Sequence, residues 1–293
     1  MIKIGKKSEE FVQKLYKGIG AINVVAVNPN KEKLQEITGR EITEEPIYTG
    51  TLEDGKKYAR VTFYVKTDET AKINNGINVN TNISFMITDA PVTGSSTGKI
   101  KVIDKYARTA WVTKDEFNSK SIPVYSNGPA RISKDYRPLY QGEENLINFL
   151  IAWLNIPSPE IYDNTTNSYK ENPNIGDCEI SLDMKKILTG NVSEIADIIP
   201  AAFNYAVKCV FGVRTTSEGK QYQEIFNRMF LKNANNKYEK LDAAIKEVKN
   251  NGGLASSEFD TMPLHEYTVE ATDFTKEDTT TENTSSPWDN MFN

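Results

Sequence analysis

YARVTFYVKT, residues 58–67, is the stretch on which the fold turns. Ala59, Val61, Phe63 and Val65 alternate with Tyr58, Arg60, Thr62, Tyr64 and Lys66, the period of two expected of a strand with one face in a core. The buried face is apolar; the opposite one is aromatic and basic. Outward from this strand the β pattern persists. Residues 18–27 (GIGAINVVAV) read as a strand ended by the turn pair Asn28-Pro29, and residues 31–37 as a short helix stopped at Gly39. Residues 78–88, 99–104 and 106–113 continue as strands, the last carrying Tyr106 and Arg108 with Trp111 on its opposite side. A Gly/Ser/Thr-rich connection fills residues 90–98.

The second half is mixed. A helix is expected after Gly142, with Glu143 and Glu144 in the first turn where the helix dipole favours acids. Leu146, Phe149, Leu150, Trp153 and Leu154 form one broad apolar stripe, and Pro157 ends the helix. Residues 157–177 read as loop and 183–200 as short helical pieces around Gly190. In residues 203–231 alternation returns as a hairpin, with Phe203, Tyr205, Val207, Cys209, Phe211 and Val213 facing one way and Lys208 and Arg214 the other. Residues 237–249 read as an amphipathic helix before Gly252-Gly253. The expected organisation is a body at 1–252, with helical insertions at about 115–202, and a disordered acidic tail at 253–293.

The net charge of −5 over 293 residues conceals a division. From Glu258 to the end there are nine acids against Lys276 alone, or −8; the preceding residues keep 34 bases and 31 acids, or +3. The acidic segment is rich in Thr and Ser, so it lacks the apolar surface that offsets ordering entropy. It nevertheless closes on Trp288, Asp289, Met291 and Phe292, which reads as a docking peptide for a partner.

Several classes are set aside. Cys178, Cys209 and His265 supply three of the four ligands of a structural zinc, and no cofactor or metal is expected. Residues 94–99 (GSSTGK) mimic a phosphate loop one residue too short, with Ile100 where Ser or Thr belongs. Gly18-Ile19-Gly20 lacks the third glycine of a dinucleotide fingerprint, since Asn23 stands there. His265, the sole histidine, lies in the tail, where no fixed nucleophile can reach it. The chain is therefore expected not to be an enzyme. Its longest apolar stretches, residues 146–156 and 192–203, are about half the roughly 20 residues that span a bilayer, and the first ten residues are no secretory signal. A cytoplasmic protein with no membrane partner is expected.

The positive signal is the interleaving of aromatic and basic side chains on strand faces. Unpaired bases stack on aromatic rings for about 1–3 kcal/mol each while Lys and Arg track the phosphates. This marks Tyr58, Arg60, Tyr64, Lys66, Tyr106, Arg108, Lys208 and Arg214 as candidate contacts to single-stranded DNA. The expected fold class is β-rich α+β: an OB-fold-like five-stranded barrel with inserted helices and the acidic tail.

Residues 25–29 (VAVNP), 61–66 (VTFYVK), 142–155 (GEENLINFLIAWLN) and 211–215 (FGVRT), with the acidic terminus ending in Trp288, Asp289, Met291 and Phe292, resemble the single-stranded DNA-binding proteins of crAss-like and other Bacteroides phages. The resemblance implies sequence-independent DNA binding and protection in phage replication and recombination, inside the host bacterial cytoplasm. It also implies that the tail recruits replication or recombination proteins, and the charge division leads to the expectation that the tail competes with DNA. One departure is that the chain ends Phe292-Asn293, with a residue beyond the phenylalanine. The alternative is a phage structural or scaffolding protein whose aromatic strands bind other subunits.

Overall fold

The computed structural model describes residues 14–68, 79–154, 156–173, 180, 182–202, 205–216, 218–219, 221–231, 254–256, 259–262 and 270–273. In chain order these form β1 (Lys14–Val27), α1 (Lys31–Thr38), β2 (Thr49–Thr51), β3 (Lys57–Thr67), β4 (Asn80–Thr88), β5 (Ile100–Ile103), β6 (Thr109–Val112) and α2 (Lys114–Ser119). Next come β7 (Val124–Tyr125), β8 (Gly128–Pro129), β9 (Arg137–Pro138), α3 (Glu143–Trp153), β10 (Glu160–Asp163) and β11 (Ser168–Glu171). The chain continues through α4 (Met184–Leu188), α5 (Ser193–Ala196), α6 (Ile199–Ala202), β12 (Val207–Thr215), β13 (Gln221–Leu231), β14 (Leu254–Ser256), β15 (Phe259–Met262) and β16 (Glu270–Asp273). The protein is β-rich α+β, built from several antiparallel sheets.

The principal sheet runs β13-β12-β1-β3-β2, with β4 on the other edge of β3 and β16 on β1. β1 is its hub, because its first residues (14–17) pair with β16, residues 18–22 with β12 and residues 22–27 with β3. Among the described residues the ladders do not close into a barrel, since β4 and β13 share no hydrogen-bonded register. They do approach each other, and α3 packs against both.

The inward row of β3 (Ala59, Val61, Phe63, Val65) meets that of β4 (Ile83, Phe85, Ile87) in one core with Leu146, Phe149, Leu150 and Trp153 of α3. Phe63 touches Phe149 at a centroid distance of 4.6 Å and lies edge-on to Phe85 and Trp153, each at 6.0 Å. Such ring pairs add about 0.5–1.5 kcal/mol each beyond the area they bury. Met184, Ile187, Val192 and Ile195 of the expected helical pieces join the same core, as do Val207, Cys209 and Phe211 of β12.

Three expectations change. β5 and β6 belong with β9 to a separate three-stranded sheet that has its own core of Val102, Ala110, Val112, Ile132 and Tyr136. The region expected to be helical also carries β7 to β11, and residues 157–177, expected as loop, contain the β10–β11 hairpin. That hairpin escaped notice because its turn residues interrupt the alternation, with Asn167 in the left-handed region at φ 49°. The stretch from Tyr106 begins as a turn and becomes strand only at Thr109.

Of two buried carboxylates, Glu143 ties the smaller sheet to the body and Asp104 braces the smaller sheet itself. Glu143 is wholly buried and takes both guanidinium arms of Arg137, one at 3.0 Å, together with the Tyr140 amide at 2.9 Å. Asp104 accepts from the Tyr106, Arg108 and Ser133 amides and from Arg108 Nε. Full pairing is what makes such charges tolerable in the interior. No helix among the described residues is long and apolar enough to cross a membrane. The expected helix at 237–249 and the terminal Trp288, Asp289, Met291 and Phe292 lie outside the described residues; within the segment read as a tail, β14, β15 and β16 are described.

Candidate nucleic-acid interface

The outward side of β3 and β4 is the surface that the sequence marks for DNA. Their register sets Tyr58 opposite Thr88, Arg60 opposite Met86, Thr62 opposite Ser84, Tyr64 opposite Asn82 and Lys66 opposite Asn80. On the far edge of β3, Asn23 of β1 stands opposite Lys66 and Gly50 of β2 opposite Tyr58. Facing residues on antiparallel strands point the same way, so these pairs form rows across one face.

Exposure is uneven along the face. Tyr58, Arg60 and Lys66 are half-buried, whereas Thr62 and Tyr64 between them are buried. The cause is the connection from β1 to β2. Asn28, in the left-handed region at φ 38°, ends β1 while its side chain bonds the backbone of Arg60 and Thr62 at 3.0 and 2.7 Å. The chain then forms α1, whose N-cap Asn30 accepts from the Lys33 amide and whose C-cap Gly39 is left-handed. Leu34 of α1, with Ile37 and Ile42, packs on Ala26 and Tyr64. Tyr48 closes this excursion by donating its hydroxyl to the Pro29 carbonyl at 2.9 Å.

Tyr64 is therefore a correction. It is only 1% exposed, and its ring belongs to the contact between α1 and the sheet, so it does not offer a base a stacking surface. Burial pushes its hydroxyl up to about 12, with Tyr48 and Asn82 beside it opposing the shift. Burial also raises Tyr48, with Tyr64 next to it adding to the shift. Tyr58 keeps its place on the face, with its ring so close over Gly50 that a Cβ there would lie 2.7 Å from it.

Tyr106 and Arg108 are also corrected in position. They lie on the connection between β5 and β6, outside the principal sheet, with Ala107 between them left-handed at φ 60°. Arg108 is held by the fully buried Asp104 at 2.8 Å, with Glu160 at 3.7 Å, and its guanidinium lies 5.1 Å from the Tyr106 ring centre. Its charge is thus already matched inside the protein. Lys208 and Arg214 are on β12 as expected, paired in register with Ala21 and Tyr222; their side chains lie outside the described residues.

The residues the sequence analysis missed are the outward row of β4: Asn80, Asn82, Ser84 and Met86. Asn80 is exposed and Met86 is 49% exposed. The signal was present in residues 80–88 (NTNISFMIT), where Thr81, Ile83, Phe85 and Ile87 alternate with this row. Because it is polar and largely uncharged, it did not stand out in a search for aromatic and basic pairs. Comparison with protein-family models, with curated proteins and with solved structures returned no match.

Proposed function

We propose that the chain is a non-enzymatic protein that binds single-stranded DNA without regard to sequence, through the outward face of β3 and β4. The observation that carries the reading is strand order. β1, β3, β4, β12 and β13 follow one another as β4-β3-β1-β12-β13, and α3, placed between β4 and β12 in sequence, packs where β4 and β13 approach. That arrangement is compatible with an OB-fold, a partly open Greek-key barrel whose second and third strands, with the loops after the first and fourth, form the oligonucleotide-binding face. In this chain those strands are β3 and β4, and the loops are residues 28–48 and the connection from β12 to β13. The face they present carries Tyr58, Arg60, Lys66, Asn80 and Met86, polar and cationic over an apolar core.

In this reading the protein protects single strands in phage replication and recombination, in the host cytoplasm, and its acidic terminus recruits partner proteins. Quenching of tryptophan fluorescence by oligo(dT) tests it. With Arg60, Lys66, Lys208 and Arg214 each neutralising a phosphate, log K falls with log salt at a slope near about −3, from about −0.7 per phosphate. A flat salt dependence, or no binding, overturns it.

The tail reading rests on the charge division, −8 from Glu258 onward against +3 before it, which holds an acidic segment near a cationic face. Deleting residues 258–293 is expected to tighten oligo(dT) binding at low salt, and the gain shrinks as the Debye length falls below about 10 Å. Equal affinity of full-length and truncated protein at low salt excludes competition by the tail.

A further inference from the structure

We propose that the face holds the strand at two separate subsites, one on each side of the α1 cover; the inference rests on the reading of this face as the DNA-binding surface. Along β3 the outward residues run half-buried at Tyr58 and Arg60, buried at Thr62 and Tyr64, and half-buried again at Lys66. On β4 the same sequence is repeated, with Met86 and Asn80 exposed at opposite ends and Ser84 and Asn82 half-buried between them. The middle of the face is closed from above, because Leu34, Ile37 and Ile42 sit on Tyr64, and from within, because Thr62 and Ser84 bond each other at 2.8 Å. On β3, therefore, a nucleotide has open access only at the ends, and on β4 access is greatest there.

The two ends differ in chemistry. At one, the Tyr58 ring and the Met86 thioether give a base an apolar contact, with the Arg60 guanidinium beside them for a phosphate. At the other, Lys66 lies between Asn23 and the exposed Asn80, and its ammonium and the Asn80 amide suit a phosphate and the polar edge of a base or sugar. Arg60 and Lys66 are six residues apart, about 20 Å along a strand that rises about 3.3 Å per residue. A short oligonucleotide occupies one end at a time. A longer one bridges both, and its second contact is made at high effective concentration.

Isothermal titration with oligo(dT) of about four and about 16 nucleotides, the limits of the usual site sizes, separates this from a continuous groove. Wild-type protein is expected to bind two of the short oligonucleotides and one of the long. Met86→Ser and Lys66→Gln, each at one end, are expected to reduce the short stoichiometry to one and to weaken the long oligonucleotide about tenfold or more. Circular dichroism of each variant confirms the fold, and Lys66→Gln stands alone if Met86→Ser disturbs β4. One short oligonucleotide per wild-type protein, or loss of all short binding in either variant, overturns the two subsites and leaves the DNA-binding reading intact. Failure of both oligonucleotides to bind wild-type protein overturns that reading as well.

Discussion

Gly142→Ala is expected to destabilise the protein by about 2–5 kcal/mol. Gly142 is the N-cap of α3 and sits in the left-handed region at φ 84°. An alanine there bears about 1–2 kcal/mol of backbone strain. It also meets a neighbour, since a Cβ would lie 1.9 Å from the Met86 carbonyl oxygen and 3.0 Å from its carbon. Both atoms are backbone, so relief requires β4 and α3 to separate, a displacement of the overpacking kind that costs about 1–3 kcal/mol. The contact is close because the segment before α3 runs along the end of β4, with the Thr88 amide bonding the Gln141 carbonyl at 3.1 Å and the Gln141 amide bonding that of Ala90 at 3.0 Å. Urea denaturation monitored by Trp153 fluorescence measures the loss. A change below about 1 kcal/mol contradicts the close approach of α3 to β4.

Tyr64→Ala is expected to cost a similar amount, about 3–5 kcal/mol, as large aromatic truncations in a core do. The ring lies beneath Leu34, Ile37 and Ile42, and its removal leaves α1 without the surface on which it rests. Tyr64→Phe retains that surface and removes only the buried hydroxyl, so its cost is expected to be far below that of the alanine. The phenol adds a pH signature. Its folded-state value is raised from 10.0 to about 12, so the unfolded chain gives up its proton first. The stability tied to the neutral phenol is present in full below about pH 10 and is lost as pH rises through about 12. Tyr64→Phe should therefore flatten part of the alkaline fall in stability over that window. If Tyr64→Ala instead keeps wild-type stability and weakens oligo(dT) binding, the ring stacks on a base and α1 does not cover it.

These two residues mark where sequence reasoning reached and where it stopped. The strands at 58–67 and 78–88 were legible because each has one face in the core, and burial on one side imposes a period of two whatever the partner strands are. α1 and its stop at Gly39, and α3 with its acidic first turn, were equally legible because caps and stripes act within a few residues. The failure at Tyr64 is of another kind. Alternation identifies the side of a strand that faces away from its own core, and it carries no information about what a later segment lays over that side.

What the amino-acid sequence by itself determined was the β-rich character, the inward row Ala59, Val61, Phe63 and Val65, the helix after Gly142, and the charge division between body and terminus. Each follows from interactions between residues near in sequence, or from composition alone. Only the tertiary structure decided that β5 and β6 leave the principal sheet, that Arg108 is committed to Asp104 and Glu160, and that α1 covers Tyr64 on the outward side of β3. Each of these depends on which distant segments meet. The physical reason is that a side chain's exposure and the pairing of its charge depend on neighbours in space, and those are fixed only when β1, β3, β4 and the connection through α1 come together.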